Sequence, residues 1–242
     1  MMKVQKATVG IRFSERIFRI STLSGNLIDD VFSLRRGPLT NDHFAAVGRD
    51  RQGNGFTMSN EEYGNYLTVD IENVTYTQDL YDSDRDFDFE KFFHEFGAIW
   101  AALDSQLQAP HIRRIGYVCE HRIEDANASQ SLLKALTPHG NGQGYPAKFN
   151  LSFEVRKNTG HGGLPDPIKD DFLNLIYGYY DSSLDTSHAQ DGAFNANLDV
   201  QRYYSPALKD KVLDEFRKVK GEYDKAAKQF FADLRKQGLA NG

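Results

Sequence analysis

Two stretches of the chain repeat apolar residues at spacings of three and four, which is the period of an amphipathic helix. One stretch runs from Phe89 to Leu107 and has carboxylates at its start, where the helix dipole favours negative charge. The other begins at Ser205-Pro206, a pair typical of a helix start, and carries its apolar stripe to Leu234. We therefore predict two long helices with one apolar face each. Shorter helices are predicted near residues 27–32 and 129–136.

Elsewhere, apolar residues alternate with polar ones, the pattern of strands that have one buried and one solvated face. The run over residues 172–180 is apolar on both faces and predicts a strand nearer the centre of the sheet. The positions that we expect to face the core are Ala7, Val9, Ile11, Phe13, Leu67, Val69, Ile71, Ile115, Tyr117, Cys119, Ile123, Phe149, Leu151, Phe153, Val155, Phe194, Ala196, Leu198 and Val200.

The order of these elements occurs twice along the chain: strand, short helix, further strands, long helix. We predict an α+β fold that duplicates two α+β units, with a mainly antiparallel sheet and two long amphipathic helices. The units are residues 1–110 and residues 111–242, and they are able to form one compact domain. A chance similarity of two α+β halves is the alternative.

Composition limits the classes of function. The chain has 242 residues, 40% of them apolar, and a net charge of −5. The apolar fraction excludes general disorder, and the acidic balance lacks the basic surplus of a strong nucleic-acid binder. Cys119 is the only cysteine, which favours a reducing cytoplasm. We find no secretion signal, and residues 96–103, the longest strongly apolar helical stretch, are too short to cross a bilayer, so we expect a cytoplasmic protein without membrane association.

Four aspartates at alternate positions have the spacing of a calcium-binding loop; they are Asp82, Asp84, Asp86 and Asp88. However, Phe87 stands where such a loop needs glycine for its sharp turn, and Phe93 stands where it needs a bidentate glutamate. We therefore interpret these aspartates as the solvated acidic start of a helix.

The histidines and the cysteine form no catalytic set. His139, His161 and His188 lie in predicted loops, and their spacing does not require a metal site. His121 and Cys119 share the buried phase of one strand, where an inward-facing histidine with satisfied hydrogen bonds and an inert thiol are expected. We predict no catalytic residue, no metal site and no cofactor.

Three segments carry a resemblance to a known family. They are the strand ATVGIRFS at residues 7–14, the Arg-Ile-Gly-Tyr sequence at residues 114–117, and the NLDV strand at residues 197–200. Together they resemble a sporadically distributed, uncharacterised bacterial family of similar length, which has an Arg-Ile-Gly-aromatic strand in mid-chain. The resemblance implies a duplicated α+β fold and supplies no catalytic residues.

The solvated sides of the strands are the most informative positions. If the apolar positions face the core, arginines, carboxylates and amides face the other way, Asn195 and Asn197 among them. Arginine presents a rigid fork of donors suited to carboxylate, phosphate or backbone groups. The ligand-binding residues predicted on this side are Arg12, Arg114, Arg122, Arg156, Glu154 and Asp199.

We therefore expect a non-catalytic binding or interaction protein that uses this face, or a groove between the halves, for a partner protein or a small anionic ligand. The simplest alternative is a solvated face without a binding role. A second is a hydrolase acting on a phosphorylated or nucleotide substrate, with His161 and His188 joining Asp199 or Glu154 in acid–base roles. A third is a structural homodimer formed through the long aromatic-rich helices.

Overall fold

One antiparallel sheet runs through the protein. The structure, a computed structural model, describes residues 3–50, 52–81, 83, 85–108, 110–125, 127–138, 149–157, 163–181 and 192–239. In chain order these residues form β1 (Lys3–Phe13), α1 (Arg19–Ser33), β2 (Ala46–Arg49), β3 (Gly55–Asn60), β4 (Asn65–Asp70), β5 (Asn73–Asp79), α2 (Phe89–Leu107), β6 (Ile112–Glu124), α3 (Ala128–Leu136), β7 (Asn150–Lys157), β8 (Phe172–Asp181), β9 (Ala193–Leu208) and α4 (Val212–Lys236). The predicted α+β class is confirmed.

The strands lie in the order β2-β3-β4-β5-β1-β6-β9-β8-β7, and neighbours are antiparallel. β1 and β6 pair along most of their lengths, from Lys3 opposite Arg122 to Phe13 opposite Ile112. Strands from residues 1–110 and from residues 111–242 are therefore joined in one sheet. The duplication and the division at that point stay predictions, because strand order does not by itself establish a repeat.

The two long helices meet over the sheet in an aromatic core. Phe216 of α4 is fully buried, and its ring centre lies 5.6 Å from that of Phe93, 5.5 Å from that of Phe96 and 5.7 Å from that of Tyr117 on β6. Aromatic pairs at such distances add to the free energy gained from burial alone. The aromatic faces that the sequence offers for a homodimer contact are thus buried inside the chain. None of the helices in the described ranges is both long and apolar enough to cross a bilayer.

Alternation along the strands is confirmed in β1 and β6 but not in β7. Val9 and Tyr117, for example, are buried as expected. Phe153 and Val155 on β7 were expected to be buried as well, yet they are 45% and 37% exposed. The reason is lateral position: β7 is the last strand of the sheet, and the helices pack on β6, β8 and β9 instead. The apolar strand β8 (Phe172–Asp181) is next to this edge rather than near the centre.

The predicted start of the last helix at Ser205-Pro206 is wrong. This pair lies within β9, which continues to Leu208 because Leu208 pairs with Ile112 on β6. The helix begins at Val212, after Lys211, whose φ of 58° breaks the extended chain. A local capping signal is here overridden by pairing with a distant strand.

Two histidines are buried between the sheet and the helices. The Nε2 atom of His121 lies 2.7 Å from the hydroxyl of Tyr223 on α4. The Nε2 atom of His43 lies 3.0 Å from the hydroxyl of Tyr76, which also donates a hydrogen bond of 2.9 Å to Glu95 on α2. Burial lowers the pKa of both histidines to about 4, with the positive charges of lysine and arginine contributing at His43. Both side chains are therefore neutral at pH 7.

We predict that His121→Phe flattens the pH dependence of the free energy of unfolding. A histidine with a pKa near 4 when folded and 6.5 when unfolded binds its proton more tightly in the unfolded chain. The stabilising contribution is therefore present above pH 6.5 and is lost as the pH falls towards 4. Between pH 7 and pH 5 one such histidine accounts for about 2 kcal/mol, to be measured by urea unfolding at both pH values.

The control for this experiment is His94→Gln, which replaces an exposed histidine on α2. It should keep the wild-type difference between the two pH values. Since the readout is a difference, a lower stability of His121→Phe at pH 7 does not affect it. An unchanged pH dependence in His121→Phe would contradict the assignment.

Candidate functional site

The side of the sheet away from the aromatic core is lined by polar residues over its central and C-terminal strands. Residues opposite each other in antiparallel strands project to the same side, so the strand registers define this surface. We call it the polar face; its members are Thr8, Gly10 and Arg12 of β1, Arg114, Gly116, Val118, Glu120 and Arg122 of β6, Asn195, Asn197, Asp199, Gln201 and Tyr203 of β9, Phe172, Asn174, Ile176, Gly178 and Tyr180 of β8, and Asn150, Ser152, Glu154 and Arg156 of β7.

All the site residues predicted from the sequence lie on the polar face, although they are spread across it. Arg12 is directly opposite Arg114, whereas Arg122 lies at the other end of β6. Asp199 lies on β9 opposite Val118. Glu154 and Arg156 are at the edge, on β7. Their placement on one side is as expected, and their role in binding stays a prediction.

Most arginines of the polar face are already paired with a carboxylate. The separate pairs join Arg12 to Glu72 at 3.8 Å, Arg122 to Glu124 at 3.1 Å and Arg156 to Glu154 at 2.5 Å. A guanidinium that faces a carboxylate attracts an incoming anion less strongly, because the two charges largely cancel at a distance. The positive charge predicted for this surface is therefore mostly neutralised within the chain.

Arg114 is different, because no ion pair with a carboxylate is found for it among the described residues. Its Nη1 atom lies 3.4 Å from Oε1 of Gln201 and 3.3 Å from the hydroxyl of Tyr203, and its guanidinium lies 5.7 Å from the centre of the Tyr203 ring. Its Nε atom is buried and has no hydrogen-bond partner in the described part of the chain. A buried donor without a partner costs the folded state free energy.

Three asparagines of the polar face carry side-chain oxygens that are also buried without a partner among the residues described; they are Asn174, Asn195 and Asn197. Asn174 lies opposite Gln201, close to Arg114, whereas Asn195 and Asn197 lie opposite Arg122 and Glu120, towards the other end of β6. Asn174 and Asn195 are each only 3% exposed. The Nδ2 atom of Asn174 donates to Oε1 of Gln201 at 3.4 Å, which directs its oxygen away from that glutamine. Each of these amide oxygens can accept hydrogen bonds from N–H or O–H donors.

Two paired glycines beside Arg114 leave a patch of the sheet without side chains. We call this pair, Gly10 and Gly116, the glycine floor. Gly10 and Gly116 are directly paired at the junction of β1 and β6. A Cβ atom added at Gly10 would meet nothing within 4 Å, and one added at Gly116 would lie 3.4 Å from Cγ of Gln201 and 3.7 Å from Oδ1 of Asp199. Glycine within a strand commonly marks a place where another molecule approaches the backbone closely. The residues that the structure describes leave the space above Gly10 open.

The carboxylates of the polar face are partly withdrawn from water. Burial raises the pKa of Asp199 from 3.8 to about 6, against the opposing effects of a 2.5 Å hydrogen bond from Gln201 and the charge of Arg114. Burial likewise raises the pKa of Glu120, which accepts hydrogen bonds from the hydroxyls of Tyr81 and Tyr180. Asp199 lies beside Gly116, and Glu120 lies farther along β6.

A pocket of about 440 Å³ opens where β1 ends and is lined by Arg12, Arg16, Glu72 and Tyr203, among other residues. It continues the polar face past Arg12 towards the segment after β1. Arg113 forms part of the pocket wall and donates hydrogen bonds to the carbonyls of Pro167 and Asp170. These bonds hold residues 167–170, which precede β8, against the sheet.

The cysteine, the aspartates before α2 and the histidines considered as metal ligands are three separate cases. Cys119 is 2% exposed and burial raises its pKa to about 11, which agrees with an inert thiol. Asp88 caps α2 by accepting a hydrogen bond of 3.1 Å from the Lys91 amide, as expected for an acidic helix start. No cluster suited to hold a metal ion is found within the described ranges. Outside those ranges lie Asp82, Asp84, His139, His161 and His188.

Sequence reasoning placed Asn195 and Asn197 on this side but missed Asn174 and the glycine pair. Asn174 lies in the run that reads as apolar on both faces. The signal for Gly10 and Gly116 was present, since each interrupts an otherwise regular strand pattern.

Comparisons with known proteins add little. No protein-family model matches the chain, and no curated protein matches it. Among solved structures, Methanococcus jannaschii TBP is similar at 8% sequence identity, covering 97% of this chain and 98% of that chain with a TM-score of 0.29. A likeness at that TM-score carries no argument about this chain.

We predict that Asp199→Asn stabilises the protein at neutral and alkaline pH. A carboxyl whose pKa rises from 3.8 to about 6 on folding stabilises the fold when protonated, and that stability is lost as the pH rises through 6. An amide removes the penalty, so the variant should gain about 2 to 3 kcal/mol in the free energy of unfolding at pH 8. The gain should shrink towards pH 4 in urea-unfolding measurements.

Asp29→Asn, at an exposed position of α1, is the matched control and should change stability by less than about 0.5 kcal/mol at either pH. A loss of stability in Asp199→Asn at pH 8 would show that the ionised carboxylate is well compensated.

Proposed function

We propose that this protein is a non-catalytic binding protein whose polar face takes up a partner protein. The observation that carries the proposal is the set of buried polar atoms of the polar face that have no partner among the described residues. Nε of Arg114 and the oxygen of Asn174 lie near the paired glycines, and the oxygens of Asn195 and Asn197 lie farther along β9. Such groups cost free energy when left alone and are compensated by a ligand that supplies the missing hydrogen bonds.

A polypeptide fits these groups better than a small anion does. A peptide group offers a carbonyl acceptor for Arg114 and an N–H donor for the asparagine oxygens, whereas an anion without donors serves only the arginine. Arg12 and Arg122 already have carboxylate partners, which weakens the attraction for free anions. The open backbone at Gly10 also favours close approach by a chain.

The absence of catalysis in this proposal is supported by the positions of the reactive groups. Cys119 and His121 face the helix-covered core, and Tyr223 lies against both. The hydrolase alternative depends on His161 and His188, which lie outside the described residues. We place the function in the cytoplasm because the single cysteine, Cys119, is a buried thiol.

We predict that Arg114→Ala and Gly10→Ala each weaken partner binding at least about tenfold, or 1.4 kcal/mol. The first removes the donor fork, and the second places a methyl group on the glycine floor. Gly10→Ala should leave the free energy of unfolding unchanged or raise it by up to about 1 kcal/mol, because the added Cβ has room and alanine is less flexible than glycine. The tagged protein is used to capture partners from a lysate of the source organism, and each purified partner is titrated against the variants.

Gly25→Ala is the matched control, since Gly25 is exposed on α1 and an added Cβ there also meets nothing within 4 Å. It should retain binding. Equal binding of a partner by all the variants would place its site elsewhere. If inorganic phosphate binds the wild type tightly and fails to bind Arg114→Ala, a small anion would replace the protein partner in the proposal.

A further inference from the structure

The strand β7 is the last strand of the sheet in the part of the chain that the structure describes. It runs over Asn150–Lys157 and pairs with β8 on one side, and no strand of the described residues pairs with its other side. Natural proteins protect such edges with short strands, charges or a covering element. The opposite edge follows this rule, because β2 spans only Ala46–Arg49. At β7, the strand is longer and carries charges only in its C-terminal half, and its outer backbone donors and acceptors have no strand partner among the described residues.

The helix side of β7 also exposes apolar side chains. The ring of Phe153 stacks at 5.0 Å on that of Tyr177 of β8, and Phe230 of α4 lies 5.4 Å from Tyr177. The helix layer stops there, so Phe153 is 45% exposed and Val155 is 37% exposed. At this edge of the sheet the aromatic core therefore ends in partly exposed apolar side chains. We call Phe153 and Val155 the apolar step.

The sequence of β7 is complementary to itself when two copies pair as antiparallel strands. A two-fold axis perpendicular to the sheet at Phe153 places Phe153 opposite its own copy and Leu151 opposite Val155, all on the helix side. On the polar side the same register places Ser152 opposite Glu154 and Asn150 opposite Arg156. Apolar residues thus face apolar residues and polar residues face polar ones, in hydrogen-bonding combinations.

The neighbouring symmetric register is disfavoured. An axis at Glu154 would set the two Glu154 carboxylates directly opposite each other and would put Lys157 against Leu151. Like charges directly opposite are destabilising in antiparallel pairs. The axis at Phe153 avoids this repulsion, and an axis at Ser152, which sets Leu151 opposite Phe153, is the alternative that charge substitutions at Phe153 distinguish. An interface about a two-fold axis closes on itself as a dimer.

We propose that a second copy of this chain pairs with β7 in the register centred on Phe153, which joins two nine-stranded sheets into one. The pairing covers the exposed apolar step and satisfies the free backbone groups of the edge. It also brings the polar faces of the two copies onto the same side of one continuous sheet. This inference is independent of what the polar face binds.

The test uses the full chain and measures its mass in solution by light scattering at micromolar concentration. The wild type should have twice the chain mass of 27.4 kDa. Phe153→Glu and Phe153→Lys should each be monomeric, because each places like charges opposite one another on the axis. An equal mixture of the two should form the dimer again, since opposite charges then face each other. Only a register that pairs residue 153 with its own copy gives this rescue.

Phe18→Glu is the control, because Phe18 is 65% exposed and lies before α1, away from β7. It should remain dimeric. Circular dichroism checks that each variant is folded, and Val155→Lys, which opposes Leu151 in the proposed register, is a second variant that should weaken the dimer. A monomeric wild type would overturn the proposal, as would a dimer that survives both charge substitutions at Phe153 or fails to return in the mixture.

Discussion

The pairing of β1 with β6 determines both surfaces of the sheet. Its register sets Val9 opposite Tyr117 and Gly10 opposite Gly116, so side chains alternate in step across the junction. A slip of one residue would move Tyr117 out of the aromatic core and bring glycine in its place. Phe216 of α4 packs 5.7 Å from Tyr117, so the helix layer holds the register that creates the polar face on the other side.

Local pattern predicts the fold well wherever the helix layer covers the strand. β1 and β6 are covered, so their alternation reports burial directly. In β7 the same alternation leaves Phe153 and Val155 exposed, because the position of a strand in the sheet depends on pairing partners far along the chain. Ser205-Pro206 shows the same limit: the local signal for a helix is genuine, yet pairing of β9 with β6 keeps the segment extended.

The candidate site was predictable in position but not in electrostatics. Alternation alone places the arginines on the face away from the core. It does not show that Glu72, from the segment after β4, neutralises Arg12, or that Arg114 instead meets Gln201 of β9. Such partners come from distant segments, and their contacts follow from strand order. Asn174 was missed because its neighbours are apolar, and burial in that setting is what leaves its oxygen without a partner.

Hydrogen bonding is uneven across the polar side of the sheet. On the N-terminal side, Thr8 and Thr77 hydrogen-bond each other at 2.9 Å, and Lys6 lies 3.6 Å from Asp79, so the polar groups of this region satisfy one another. Across β1, towards β9 and β8, Arg114 and the asparagines are left incomplete. Both regions lie on the same sheet, and for folding alone the fully hydrogen-bonded arrangement would be the more stable one in each. The incomplete region costs stability that the other avoids, and a ligand that completes its hydrogen bonds gives that cost a function.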